Sequence, residues 1–196
     1  MFKKICNICI YLIILIAVVM IVIGIIKLIN VNNSIQTGIE EVEDIFDGNE
    51  TPNISSTVEN EKERSDGKAI GLLTFKLARQ YKTAVYNNLT EEILKKGAGR
   101  ATGSSNLNET GNCVLFGHRD SAFRALWDIK IGDIVEAKTI SSTKQYTVKN
   151  IYITNPYNPK IFEQTTETKL TLVTCYPFVY SGPSDERCVV ECSLNN

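Results

Sequence analysis

The sequence predicts a mostly β domain of seven or eight short strands, preceded by one membrane-spanning helix. Short runs of apolar or alternating residues recur along residues 66–196, separated by Gly, Pro, Asn and Ser turn signals. That length is enough to bury a single hydrophobic core. The pattern is typical of an antiparallel-rich barrel or sandwich and does not by itself choose between them.

The membrane-spanning helix is predicted from one uninterrupted apolar stretch. Ile8–Ile26 contains nineteen residues without a charge, about 28 Å as a helix, which matches the hydrocarbon core of a bilayer. Lys3 and Lys4 precede it, and the acidic residues of segment 40–44 follow a lone Lys27. This bias predicts a single-pass protein of the cell membrane, with its N-terminus in the cytoplasm and its domain outside. A cleaved signal peptide is the alternative, but it would have a shorter apolar region and an A-x-A-like site.

The chain divides on composition into three parts, which are a cytoplasmic stub and anchor at 1–29, an acidic polar linker at 30–65 and a domain at 66–196. The linker is rich in Asn, Glu, Ser and Thr, so much of it is expected to be disordered. Five apolar residues within it repeat at helical spacing, which indicates a short amphipathic helix near the membrane or under the domain. A partner-binding helix is the alternative. These residues are Ile35, Ile39, Val42, Ile45 and Phe46.

Charge and metal-ligand content exclude two classes of function. Residues 66–196 carry sixteen Lys and Arg against thirteen Asp and Glu, with no basic tract, so no nucleic-acid partner is expected. One histidine and no close Cys-x-x-Cys pair in this part disfavour a zinc site, and no acidic cluster indicates calcium. We therefore expect no metal and no cofactor.

The expected elements of the domain follow from its apolar pattern. Thr90 can cap a short helix at Glu91–Lys96, and Ala122–Leu126 is expected to form one helical turn. The glycine-rich segment 97–105 is expected to be a loop. The expected strands are Ala69–Leu77, Lys82–Tyr86, Asn112–Phe116, Ile134–Ala137, Lys144–Asn155, Lys169–Thr174 and Cys188–Cys192.

Three chemically distinct side chains are expected at strand ends. A buried strand ends at Thr174 and Cys175, Arg187 stands at the start of the next strand, and His118, the only histidine, follows a third. A thiol, an imidazole and a guanidinium suit a nucleophile, a proton-transferring partner and an anion stabiliser. Taken singly, each has an ordinary structural alternative: a buried thiol, a hydrogen-bonded histidine and a surface arginine. Their common placement favours a catalytic site.

The other cysteines are expected to be core thiols. Cys188 and Cys192 share one strand about 13 Å apart, so they cannot pair with each other. A pair between Cys113 and either of them is conceivable. Cys6 and Cys9 lie at the membrane edge, where a structural or incidental role is expected.

Two longer motifs add a family resemblance. The run T-L-V-T-C-Y-P-F at 171–178, followed by Arg187, and the run F-G-H-R-D-S-A-F-R-A-L at 116–126 closely resemble the sortases, membrane-anchored transpeptidases of Gram-positive bacteria, and most of all their class D. The resemblance covers roughly residues 66–196 and implies an eight-stranded sortase-type β-barrel. One departure is Arg100, which stands where many sortases have histidine in G-x-G-H. We expect that position to affect only groove shape or substrate choice.

The resemblance also implies a reaction. Cys175 would attack the threonine carbonyl of a Leu-Pro-x-Thr-Gly-like sorting signal, so that the chain is cleaved after Thr. His118 would transfer protons, and Arg187 would stabilise the oxyanion. Thr174 is expected to line the substrate groove, while Arg119 and Asp120 are interpreted as structural. The implied partners are secreted proteins with a C-terminal sorting signal and peptidoglycan, or its lipid-linked precursor, as amine acceptor. The alternatives are a plain cysteine peptidase and a non-catalytic extracellular binding module on the same fold.

Overall fold

The computed structural model describes residues 2–48, 67–180 and 182–195, which form two compact units. A long helix, α1 (Phe2–Phe46), contributes to both. In the first unit, residues 1–34, its large apolar side chains between Tyr11 and Ile29 are exposed. Among the described residues this one helix is long and apolar enough to cross a membrane. The orientation in the membrane and the boundaries at 29 and 65 stay predictions.

The second unit, residues 35–196, contains an eight-stranded closed β-barrel, which confirms the expected fold class. Around the barrel the strands follow the order β1-β2-β3-β4-β7-β8-β6-β5. The strands are β1 (Ala69–Phe75), β2 (Tyr81–Tyr86), β3 (Gly97–Arg100), β4 (Gly111–Phe116), β5 (Ile134–Lys138), β6 (Thr143–Thr154), β7 (Thr168–Tyr176) and β8 (Glu186–Leu194). Two 3₁₀ turns, Arg124–Trp127 and Pro159–Phe162, lie in the connections.

Two of the strand pairings are parallel, and the others are antiparallel. Strands β2 and β3 are joined by α2 (Glu91–Lys96), which begins and ends as predicted. The hydroxyl of Thr90 accepts a hydrogen bond from Ile93 N at 3.3 Å and so satisfies one free donor at the start of the helix. Strands β4 and β7 form the second parallel pair, and the crossover between them carries β5 and β6.

The prediction that segment 97–105 is a loop is wrong at its start, because Gly97–Arg100 forms β3. The glycines act here through their small size. A Cβ on Gly97 would lie 2.4 Å from Ala84 O, and one on Gly99 would lie 2.3 Å from Asn88 O. Only glycine lets the chain come this close to its neighbour, so the same residues that resemble a loop signal allow the parallel pairing.

The barrel strands bury residues on both of their faces. Inward positions form the main core, including Leu115 of β4, Leu172 of β7 and Val190 of β8. Outward positions one residue away form a separate outer cluster with Ile161 of the second 3₁₀ turn. The members of that outer cluster are Ala101, Val114, Ile161, Val173 and Val189.

Residues 30–46 are helical, and the apolar repeat for which a short amphipathic helix was expected packs against the barrel. Ile39 and Val42 are 7% and 1% exposed and pack against Leu72, Ala84 and Tyr86 on the outer face of β1 and β2. The apolar stripe gains from this burial, which offsets the polar composition that suggested disorder. We call residues 35–46 the docked segment. The remainder of the predicted linker, residues 49–65, lies outside the described residues.

Polar contacts surround the buried face of the docked segment. The hydroxyl of Tyr86 donates to Glu41 at 3.0 Å, and Lys82 Nζ lies 2.7 Å from Glu43 Oε1. Burial, reinforced by the Glu41 carboxylate, raises the pKa of Tyr86 well above its usual value. Its hydroxyl therefore remains a hydrogen-bond donor throughout the ordinary pH range.

Candidate active site

The parallel pair β4 and β7 brings two of the predicted site residues to one edge of the barrel. Phe116 and Val173 are register partners, and Gly117 N donates to Val173 O at 3.2 Å just beyond them. His118 follows Phe116 by two residues, and Cys175 follows Val173 by two. Because parallel strands leave the sheet in the same direction, both side chains lie at the same edge.

The turn at His118 is fixed by the core beneath it. A Cβ on Gly117 would lie 2.9 Å from atoms of the Phe123 ring, which is fully buried. Phe123 N also donates to His118 O at 2.9 Å. The glycine of the G-H-R-D motif is therefore needed for the aromatic ring to pack against the backbone that carries the imidazole.

Alternation along β7 places Cys175 on the outer face of the barrel. Val173 belongs to the outer cluster and Leu172 to the inner core, so Cys175 follows the outward positions. Cys175 and His118 are both half-buried, and each comes two residues after an outward apolar residue, Val173 or Phe116. A half-buried thiol on this face can be reached from solvent.

Arg187 lies directly opposite Cys175 in the antiparallel pair of β7 and β8. Opposed residues of such a pair project from the same face, so the guanidinium starts beside the thiol. Its Nη1 donates to Ser184 O at 2.8 Å and to Glu186 O at 2.9 Å. A guanidinium has five N–H donors, so these two bonds leave capacity for an anion.

An open cleft of about 660 Å³ contains Cys175 and His118. The structure therefore brings two of the three predicted catalytic residues into one cleft. Arg187 lies opposite Cys175 on the neighbouring strand β8 and is not among the residues that line the cleft. The lining consists of His118, Arg119, Asp120, Arg124, Trp127, Cys175, Phe178, Val179, Tyr180 and Gly182.

Comparison with known proteins identifies the family. The family described as "Sortase domain" matches residues 77–195. The chain belongs to the sortase family. Sortase D of Bacillus subtilis (strain 168) is 33% identical over 100 residues, which are half of this chain and half of that protein. The match thus spans about half the length of this curated relative.

The chain is a class D-like sortase, and its fold is similar to those of several solved sortase structures. A Clostridium perfringens Sortase D5 transpeptidase has a TM-score of 0.65 at 22% identity, covering 84% of this chain and 100% of its own. The catalytic domain of B. anthracis SrtD has a TM-score of 0.57 at 28% identity, covering 74% and 97%. A C. perfringens sortase C with the C-terminal cell wall sorting motif has a TM-score of 0.59 at 23% identity, covering 84% and 89%. Members of the sortase family are cysteine transpeptidases.

Thr174 enters the sortase site differently from the sequence expectation. It is 2% exposed, and its hydroxyl donates to Gly117 O at 2.7 Å. Strand alternation explains this, because a residue next to an outward Cys175 must point inward. The bond ties the strand of the thiol to the turn of the imidazole. This geometry favours a positioning role for Thr174 over contact with substrate.

The three other domain thiols are buried in the core, as expected. Burial raises the pKa of Cys188 to about 11 and of Cys113 and Cys192 to about 12. Each is at most 2% exposed. Their thiolate fraction at neutral pH is therefore very small, and reactivity towards electrophiles is left to Cys175.

Sequence reasoning missed the aromatic part of the cleft. Trp127 and Phe178 pack with ring centroids 5.8 Å apart, and Phe178 meets Tyr176 edge-on at 5.6 Å. The signal was present, because the loop after Cys175 reads Y-P-F-V-Y and the only tryptophan follows G-H-R-D by seven residues. Nothing in the sequence, however, shows that these two segments meet.

Proposed function

We propose that this sortase is a membrane-anchored cysteine transpeptidase acting on a Leu-Pro-x-Thr-Gly-like sorting signal. The observation that carries the proposal is the meeting of Cys175 and His118 in one cleft, with Arg187 directly opposite the thiol in the sheet. A nucleophile, a proton carrier and an anion stabiliser are the groups that acyl transfer requires.

Acylation begins with attack of the Cys175 thiolate on the carbonyl between Thr and Gly of the signal. The C–S bond forms as the carbonyl becomes a tetrahedral oxyanion, which the Arg187 guanidinium stabilises. The C–N bond then breaks, and His118 gives its proton to the leaving glycine amine. The product is a thioester between Cys175 and the threonine carbonyl.

Transfer reverses the same steps with a different amine. An amine of peptidoglycan, or of its lipid-linked precursor, attacks the thioester while His118 accepts its proton. The new amide bond joins the secreted protein to the wall, and the thiolate is released. The solved sortase C with a cell wall sorting motif supports this substrate class.

Arg187 does not line the cleft, so its guanidinium turns towards Cys175 for this role, from a position in which Nη1 donates to the carbonyls of Ser184 and Glu186. The two residues lie within three positions of it, so a change of side-chain rotamer is sufficient. The guanidinium suits the task since it keeps its charge and presents its donors in a fixed fork.

Residues 8–26 are proposed to hold the enzyme in the cell membrane with its N-terminus in the cytoplasm and its catalytic domain outside. The apolar helix supports the anchor, and the lysines before it support the orientation. In this topology the thiol faces the compartment in which secreted proteins meet the wall.

The test incubates the full-length chain in detergent micelles with a fluorogenic Leu-Pro-x-Thr-Gly peptide and a glycine-based amine. A transpeptidase yields an amide product that depends on the amine, together with a thioester that mass spectrometry maps to Cys175. A plain peptidase hydrolyses the peptide and ignores the amine, and a binding module does neither. Either of these two results contradicts the proposal.

A further inference from the structure

Arg119, interpreted from sequence as structural, has contacts that reach beyond its own turn. The side chain is buried, with the residue 8% exposed, although arginine is seldom buried without partners. Its Nη1 donates to Pro177 O at 3.1 Å, and its Nη2 donates to Gly182 O at 2.9 Å. One guanidinium thus holds the loop that leads from Cys175 towards Arg187 at two points, its first residue Pro177 and Gly182.

A third contact lies between these two points. The Arg119 guanidinium carbon is 5.5 Å from the centre of the Tyr180 ring, a cation–π distance. Bonds from a charged donor are stronger than neutral ones, and a planar fork can bridge two carbonyls that a lysine cannot reach together. The described residues of this loop, 177–180 and 182, are therefore held at three points.

The backbone of Arg119 connects the same loop to the other wall of the cleft. Trp127 Nε1 donates to Arg119 O at 2.8 Å, and the Trp127 ring packs against Phe178. Arg119 thus connects the turn of His118, the 3₁₀ turn with Trp127 and the loop after Cys175. All three segments line the cleft.

We propose that Arg119 is a positioning residue that holds the loop between Cys175 and Arg187 in the conformation that forms the cleft wall. The inference deepens the proposed function and rests on it where catalysis is concerned. Arg119 touches loop carbonyls and an aromatic ring, so its effect on the reaction passes through the loop. Small displacements of a positioned group lower the rate of an enzymatic step, by about 100-fold for 1 Å.

The experiment compares Arg119→Ala and Arg119→Lys with the unchanged full-length chain. Trp127 is the only tryptophan in the 196 residues, so its fluorescence reports on the cleft wall alone. In Arg119→Ala we expect a red-shifted emission, stronger quenching by acrylamide and a kcat about 10- to 100-fold lower, with a smaller change in KM. Arg119→Lys keeps the positive charge and loses the forked donors. Its kcat is therefore expected to lie between that of the unchanged chain and that of Arg119→Ala.

Asn108 supplies a matched control away from the cleft. Its buried amide also holds a connection through carbonyls, donating to Ala137 O at 2.9 Å and Ser142 O at 3.3 Å. Asn108→Gly removes these bonds and tolerates the backbone φ of 66° at this position. We expect this variant to melt at a lower temperature with Trp127 quenching and kcat unchanged.

The inference is overturned if Arg119→Ala behaves like the control, with a lowered melting temperature and both Trp127 quenching and kcat within two-fold of the unchanged chain. If Arg119→Ala does not fold, the same comparison is made with Arg119→Lys. Should the unchanged chain turn over no sorting peptide, the proposed function fails separately. Quenching of Trp127 then decides the inference, and unaltered quenching in both variants overturns it.

Discussion

Two sides of the barrel have the same alternation of inward and outward residues, but one side is covered by a helix and the other opens into the cleft. On β1 and β2 the docked segment covers outward apolar residues, among them Leu72, Ala84 and Tyr86. On β4, β7 and β8 the outward positions are apolar in mid-strand, where the 3₁₀ turn Pro159–Phe162 covers them. Towards the strand ends they change to His118, Cys175 and Arg187, and the face opens into the cleft. The proposed catalytic residues thus stand where the outward apolar pattern stops.

This contrast predicts that substitutions on the open side change activity and that those on the covered side change stability. The largest effect is expected from Cys175→Ala, which removes the proposed nucleophile. We expect turnover of the sorting peptide to fall by at least about 1,000-fold with an unchanged melting temperature. The matched control is Cys192→Ala, which should lower the free energy of unfolding by about 1–2 kcal/mol and leave turnover per folded molecule unchanged. Full turnover in Cys175→Ala would contradict the mechanism.

A smaller loss of activity is expected from Arg187→Lys. Lysine keeps a positive charge beside the thiol and loses the forked donors, so kcat should fall by about 10- to 100-fold. Arg79→Lys serves as the control, since Arg79 lies 5.4 Å from the Tyr81 ring in the turn between β1 and β2. Steady-state kinetics should show the control within two-fold. If Arg187→Lys were as active as the unchanged chain, the reaction would not depend on the forked donors of the guanidinium.

On the covered side, Val42→Ala should lower stability without affecting catalysis. Val42 is 1% exposed, and the change deletes two buried carbon atoms, which costs about 2 kcal/mol. Urea unfolding of the full-length chain measures the loss, and kcat per folded molecule should be unchanged. A stability within 0.5 kcal/mol of the unchanged chain would mean that the docked segment contributes little to the fold.

The buried thiols predict a loss of stability in alkali. The pKa of Cys113 and of Cys192 is raised to about 12 in the folded chain, so above about pH 9 the unfolded chain binds fewer protons than the folded one. Stability is therefore fully present below the unfolded pKa and falls as pH rises towards 12, by up to about 1.4 kcal/mol per pH unit for each thiol. Urea unfolding under reducing conditions at pH 8 and pH 10 measures the slope. Cys192→Ala should have a shallower slope, and an identical slope would contradict the assignment.

The smallest effect is expected from the ion pair at the margin of the docked segment. Lys82 and Glu43 are 2.7 Å apart, but both side chains are more than two-fifths exposed. Solvent screens such a pair, so Lys82→Met should change the free energy of unfolding by less than about 1 kcal/mol. A larger loss would mean that charge, rather than the apolar contact of Val42, holds the docked segment.

Much of the barrel could be predicted because its strands carry local signals. Apolar runs and alternation gave seven of the eight strands, and Thr90 with its following acids gave α2 to the residue. Strand β3 was missed because glycine occurs both in turns and where two backbones approach closely. The sequence alone does not distinguish these cases, since the close approach involves a neighbouring segment of the chain. The apolar spacing of residues 35–46 indicated a helix, but the surface it packs against belongs to β1 and β2, which a local pattern does not identify.

The sequence allowed the three candidate catalytic residues to be selected, but it did not show how the residues around them are arranged. Cys175, His118 and Arg187 could be selected because each reactive residue type stands at a strand end. Thr174 was expected in the groove, although an outward Cys175 already requires its neighbour to point inward. The contacts of Arg119 with Pro177 and Gly182, and of Trp127 with Phe178, join residues more than fifty positions apart in the chain, which local patterns do not encode.

The parallel pairing of β4 and β7 has a consequence for how the sequence of this sortase can vary. Thiol and imidazole keep their spacing through backbone bonds in the sheet, whereas the chain between them makes a long excursion through β5 and β6. Extra residues at the tip of that excursion, around Ser141, would lengthen the route between the two groups without moving either. The scaffold can therefore accept new surface decoration there while the reacting pair stays in register.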